Sequence, residues 1–217
     1  MPFMSKQDQV ADILRERVIA GTYQRGQRLK QADIANELGV SITPVREALH
    51  VLEAEGYVVG VSHRGLLVPE INIKQAGEIL HLRVMLEKDL TAAALKVMTP
   101  ERLAELRELH DAVAAAAQRG DRYASRTANY RFHFRLYEWA DSPQTLSFVR
   151  ILWAKYPFTM QEAGSNRHEA MLAEHERILD TIEAGDPQAA VAAMGDHIDA
   201  GWRQLLAAAP NAVTQDA

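Results

Sequence analysis

The run from Leu38 to Leu49, Leu-Gly-Val-Ser-Ile-Thr-Pro-Val-Arg-Glu-Ala-Leu, constrains the fold more than any other part of the chain. Gly39 stands where a glycine closes a helix in the left-handed conformation. Ser41 or Thr43 can cap the next helix, with Pro44 near its first turn and Glu47 available to a Thr43 cap. Upstream, Gln31 to Leu38 makes a short helix on Ile34, Ala35 and Leu38. Gln7 to Ala20 makes a longer one, with Val10, Ile13, Leu14, Val18 and Ile19 on one face. Gly21 to Gly26 is a turn-rich break between them. Downstream, the third helix continues through Val45, Leu49 and Leu52 to Gly56. The apolar runs Tyr57–Val59 and Leu66–Val68 then flank Ser62-His63-Arg64-Gly65 as a small hairpin. Three helices followed by a hairpin form a winged helix-turn-helix, placed over residues 1–70.

After an extended linker from Pro69 to Ile73 the texture changes. Residues 71–217 are alanine-rich, with 3.6-residue stripes and few β-branched clusters, so they read as all helix. Thr99-Pro100, Ser142-Pro143 and Asp186-Pro187 each put a capping side chain before a first-turn proline, and Gly120-Asp121 and Gly185-Asp186 each end one helix and begin another. About six helices result, enough for an antiparallel bundle. The fold class is mostly α.

Composition narrows the functions such a chain can carry. It has 217 residues and no cysteine, which removes disulfide scaffolds, thiolate metal sites and cysteine nucleophiles together. No stretch approaches the roughly 20 apolar residues of a membrane helix, and Met1 to Asp8 lacks the apolar core of an export signal. A cytoplasmic location without membrane contact is expected. The net charge of −5 excludes a uniformly basic coat for nucleic acid, so any such contact must come from a local patch.

That patch is expected around the third helix. Backbone amides and the Ser41 and Thr43 hydroxyls at its N-terminus suit phosphate oxygens. Arg46 lies one turn further in, where a guanidinium can bond a guanine edge or a phosphate, or else pair with a nearby glutamate. Arg25, Arg28 and Lys30 precede the second helix, and His63, Arg64 and Gly65 form the hairpin tip.

Residues 7–70 resemble the DNA-binding domain of GntR-family transcription regulators. The likeness rests on Ile19-Ala20-Gly21-Thr22-Tyr23, Gly26-Gln27-Arg28-Leu29, Ile34-Ala35, Gly39 to Leu49, Leu52-Glu53-Ala54-Glu55-Gly56, and Arg64-Gly65 with Val68. It implies operator contacts by Ser41, Thr43, Arg46 and Gly65. Two departures bear on the operator sequence: Ile42 replaces a usual arginine or polar residue, and Ala32 an arginine often found early in the second helix.

In the helical part, His133 shares a stripe with Asn129, Leu136, Tyr137 and Ala140. His175 shares one with Leu172, Ile178, Leu179 and Ile182, and His197 one with Ala190, Met194, Gly201 and Leu205. One inward histidine is usually a satisfied core residue. Three on different helices, with Asn129 a turn from His133, point to a shared centre for a divalent metal such as zinc or nickel. His50, His81, His110 and His168 read as surface or packing residues. Arg83 either pairs with Glu87 at i+4 or clamps a carboxylate, for which its planar fork is well shaped. Tyr130, Trp139, Trp153 and Tyr156 are candidate pocket linings or simply core.

Residues 74–206 resemble the FadR-type C-terminal ligand-binding (FCD) domain. Leu82-Arg83 with Leu86-Glu87, Asn129 with Phe132-His133, Glu174-His175 with Ile178-Leu179, Gly185-Asp186 with Ala189-Ala190, and His197-Ile198 carry the likeness. It implies a metal held by Asn129, His133, His175 and His197, with Asn129 where aspartate is common, and a small organic-acid effector reaching the metal and Arg83. The expected function is a ligand-responsive repressor, a homodimer on double-stranded operator DNA and not an enzyme. The rival is a helical metalloenzyme acting on a small carboxylate or phosphate. A di-iron protein would need two Glu-x-x-His motifs in the bundle, where residues 71–217 hold only Glu78 to His81, and neither chemistry accounts for residues 1–70.

Overall fold

The computed structural model describes residues 5–156 and 167–208. The chain divides into two compact units, Met1–Ile71 and Asn72–Ala217.

In the first unit, α1 spans Lys6–Ala20, α2 Gln31–Leu38 and α3 Ile42–Glu55. Ser5 and Asp8 form a reciprocal capping box at the start of α1. Val10, Leu14 and Val18 bury against α3, which answers with Val45, Leu49 and Leu52. Ile13 lies at the edge of the stripe and is 38% exposed. Its place inside goes to Ala11 and Arg15, whose guanidinium bonds Glu55 through Nε at 2.8 Å and also engages Asp12. Gly39 ends α2 at φ 66°, a conformation that side-chain-bearing residues adopt at a cost, and the chain turns directly into α3. Ser41 holds the N-cap position of α3 without a side-chain cap bond. Thr43 is already the second helical residue, so the Thr43–Glu47 cap does not form.

Strands β2 (Val59–Val61) and β3 (Gly65–Leu67) make the expected hairpin. A third strand, β1 (Arg28–Leu29), pairs antiparallel with β3, Arg28 opposite Leu67 and Leu29 opposite Leu66, giving the order β1-β3-β2. Two residues are too short for a periodicity signal, and β3 supplies the edge that makes them a strand.

The second unit holds α4 (Ala76–Leu95), α5 (Pro100–Gln118), α6 (Arg122–Glu138), α7 (Pro143–Lys155), α8 (Arg167–Glu183) and α9 (Pro187–Ala208). Thr99, Asp121 and Asp186 each accept a backbone N–H at the start of their helices. Ser142 sits at the α7 cap position but bonds the Ala140 carbonyl instead. α4 packs on α9, α7 and α6, α5 on α6 and α8, and α8 on α9. No helix among the described residues is long and apolar enough to cross a membrane.

Leu14 is fully buried between α1 and α3. Leu14→Ala should therefore destabilise the first unit by about 2–5 kcal/mol in chemical denaturation, through lost burial and the cavity left behind. A loss below about 1 kcal/mol would contradict its central place.

Candidate functional site

Helix α3 divides its first two turns cleanly. Val45, Ala48 and Leu49 face the core, while Ser41, Ile42, Thr43 and Arg46 face solvent. Arg46 makes no ion pair or side-chain hydrogen bond among the described residues, so the alternative of a pairing with a nearby glutamate is not realised. Ile42 is 50% exposed and does not pack into the domain. At the hairpin tip His63 and Arg64 are exposed, and His63 takes a positive φ of 63°. Gly65, at φ 79°, lies beneath the Arg28 guanidinium: a Cβ there would meet Arg28 Nε at 3.5 Å. Lys30 is exposed at the start of α2, 3.8 Å from Asp33. Arg25 departs from the group, because its Nη1 donates to the Pro69 carbonyl at 3.1 Å and burial draws its pKa down. It holds the chain together.

The three inward histidines come together in the second unit. His133 on α6, His175 on α8 and His197 on α9 are buried, and one nitrogen from each lies within 4.8 Å of the others. His133 Nε2 is 3.0 Å from His197 Nε2, and Phe132 stacks on the His175 ring at 4.3 Å. Asn129, one turn before His133, has a carbonyl oxygen shielded from solvent with no hydrogen-bond partner among the described residues. Leaving such an atom unpaired costs about 1–3 kcal/mol. A cation beside it would remove that cost. Zinc–nitrogen bonds of about 2.0–2.1 Å in a tetrahedron set nitrogens about 3.3 Å apart. The donor set fits a borderline divalent metal, and the 3.0 Å between His133 Nε2 and His197 Nε2 is close to that spacing.

Behind the histidines lies a second polar layer. Glu87, on α4, is wholly buried; it accepts from Arg83 Nε at 2.7 Å, Trp153 Nε1 at 3.0 Å and the Tyr137 hydroxyl at 2.6 Å. Burial, reinforced by the Glu87 charge, holds the Tyr137 phenol well above its usual pKa, so it stays a donor. Its oxygen is 3.0 Å from His133 Nδ1. The Arg83 guanidinium stands 4.8 Å from the Trp153 ring centre and 4.4 Å from that of Tyr156. His197 Nδ1 is 2.8 Å from Glu174.

Comparison with known proteins follows the same division. The family model of bacterial regulatory proteins, gntR family, matches residues 6–68, and the FCD domain model matches residues 78–200. The chain belongs to the GntR family, in its FCD-containing branch. It is 33% identical over 147 residues to the HTH-type transcriptional regulator McbR of Escherichia coli, covering 68% of this chain and 66% of that protein. It is 30% identical over 194 residues to a probable D-xylose utilization operon transcriptional repressor of Paenarthrobacter nicotinovorans, covering 88% and 85%. The solved structure of E. coli McbR/YncC superposes with a TM-score of 0.81 at 25% identity, covering 94% of this chain and 99% of that one.

In this GntR-family chain, Trp153 and Tyr156 line Arg83, and Tyr130 packs against Trp153 at 5.7 Å. Trp139 is elsewhere, under the guanidiniums of Arg102 and Arg135 at the end of α6. His110 is buried beside His175, 5.8 Å between ring centres, with Nε2 3.2 Å from Glu176. Tyr137 was on the His133 stripe in the sequence, but neither its contact with His133 nor that of Glu174 with His197 was read there. The i+4 spacing of Tyr137 after His133 was a usable signal, whereas the approach of Glu174 on α8 to His197 on α9 was not.

Removing Glu87 should be severe, since it leaves Arg83 buried without this carboxylate. Glu87→Ala is expected to cost about 3–5 kcal/mol in denaturant unfolding of the helical unit. Wild-type stability in that variant would refute the anchoring role.

Proposed function

We propose that this protein is a ligand-responsive transcriptional regulator that represses its targets from the cytoplasm as a homodimer on operator DNA. The observation that carries the reading is the solvent-facing start of α3, with Ser41, Thr43 and an unengaged Arg46, in one chain with the buried histidine cluster. Ser41 and Thr43 position the helix on phosphates and Arg46 reads a base edge or adds a phosphate contact. Arg28, Lys30, His63, Arg64 and Gly65 bring the hairpin and the start of α2 to the backbone. Two half-sites related by a twofold axis multiply the affinity that one domain can supply. The similarity to a probable operon repressor supports the sign of regulation.

In the second unit, Asn129, His133, His175 and His197 hold a divalent metal, zinc or nickel, which supplies a Lewis-acid site for an anionic ligand. An amide in place of an anionic ligand leaves more net positive charge on such a centre. The effector is a small carboxylate, and Arg83 is its second anchor. That role requires the ligand carboxylate to join or replace the Arg83 bond to Glu87. Effector occupancy alters operator affinity only through differential affinity for two arrangements of the protein.

Duplexes selected from a random library by the full-length protein provide the test of DNA binding. Arg46→Ala should lose about 1–3 kcal/mol of affinity for the selected duplex, and wild-type affinity should fall steeply with salt. Undiminished affinity in the variant, or no enriched sequence, would sink the assignment. Metal binding is checked by thermal unfolding: zinc at about 100 times its Kd should add about 2.7 kcal/mol to the helical unit, and His175→Ala should abolish the gain. Equal gains in both proteins would remove the cluster as the site.

A further inference from the structure

The hydrogen bonds around Glu87 determine which way the neighbouring histidine must carry its proton. Three donors converge on the Glu87 carboxylate, and Tyr137 has one hydroxyl proton to give. At 2.6 Å from Glu87 Oε2, that proton goes to the carboxylate rather than to the weaker acceptor Met194 Sδ at 3.4 Å. The Tyr137 oxygen then accepts from His133 Nδ1 at 3.0 Å, which makes Nδ1 the N–H end of the ring. Across the cluster, Glu174 imposes the same choice: a carboxylate 2.8 Å from His197 Nδ1 can only accept, so this nitrogen also carries hydrogen. Both rings therefore turn the lone pair of Nε2 inward, and the two Nε2 atoms are 3.0 Å apart. Two neutral lone pairs at that separation repel, and a cation between them makes the arrangement favourable.

We propose that Glu87, Tyr137 and Glu174 are positioning residues of the histidine centre, holding His133 and His197 as Nδ1–H tautomers so that both present Nε2 to one metal ion. The inference rests on the metal reading given above. It adds that the centre is built outward through two separate hydrogen-bonded arms, Glu87–Tyr137–His133 from α4 and α6 and Glu174–His197 from α8 and α9. The first arm also ends on Arg83, so the guanidinium assigned to the carboxylate ligand and the imidazole assigned to the metal share one anchor. Such outer partners of metal-bound histidines orient the ring and raise its basicity.

Full-length protein stripped with a chelator provides the test. Long-range proton–nitrogen NMR of the imidazoles reads the tautomer, and zinc or nickel is titrated in competition with a chromophoric chelator. The wild type should show the Nδ1–H pattern at His133 and His197. Tyr137→Phe removes the acceptor of His133 Nδ1 while keeping the ring in its pocket. It should shift His133 toward the Nε2–H form and weaken zinc by about 10–100-fold. Glu174→Ala, at a side chain that is 22% exposed, should do the same for His197 and judges the second arm if the first variant does not fold. Unchanged tautomers and zinc affinity within twofold of wild type in these variants would overturn the positioning role while leaving the metal site in place. A wild type that takes up neither zinc nor nickel would remove the metal reading itself, and the inference with it.

Discussion

Glu87 lies wholly inside the helical unit, and a carboxylate there is tolerable only when donors surround it. The donors come from three helices: Arg83 from α4 itself, Tyr137 from α6 and Trp153 from α7. Each must arrive at hydrogen-bond distance at once, so the carboxylate fixes the mutual rotation of these helices more tightly than apolar packing alone would. Apolar contacts tolerate small sliding. A buried ion pair with its hydrogen bonds does not, because an unmade bond there costs a full desolvation penalty. The histidine cluster inherits this rigidity through the Tyr137 contact to His133.

The DNA-reading unit solves a different problem with simpler means. Its core is apolar, Leu14, Val45, Leu49 and Leu52 packed between α1 and α3, and its polar side chains are left outside where a ligand can reach them. Arg15 and Glu55 are one exception, a paired charge that seals one edge of the α1–α3 contact, and Arg25 on Pro69 is another. Placing β1 beside β3 draws the Arg28 side chain over Gly65, which carries a basic group toward the tip of the hairpin. The family matches divide at the same place as the chemistry, with residues 6–68 on the side of exposed polarity and residues 78–200 on the side of buried polarity.

Most of the fold was legible because its signals are local. Gly39 and Gly56 terminate helices in the left-handed conformation, Thr99 and Asp121 cap them, and the apolar stripe of α1 recurs at helical spacing through Val10, Leu14 and Val18. The histidines too were visible as stripes, since a helix puts residues three and four apart on one face. Legibility failed where the partner was distant in sequence or the segment was short. β1 exists only as an edge for β3. Arg25, read with the basic surface, is held to Pro69, forty-four positions away. Thr43 lost the cap role to Ser41 by two residues, a shift that local chemistry does not decide when both carry a hydroxyl.

The amino-acid sequence by itself determined the two units, the helix that presents Ser41, Thr43 and Arg46, and the three inward histidines, because helical periodicity and capping depend on neighbours within a few residues. Tertiary structure alone decided that those histidines meet, that Asn129 is left with a buried carbonyl oxygen beside the same helical turn, and that Arg83 is anchored by Glu87 inside a box of aromatic rings. Those outcomes depend on how helices are rotated and stacked, and that rotation is set by the simultaneous satisfaction of buried polar groups drawn from helices far apart in the sequence of the second unit.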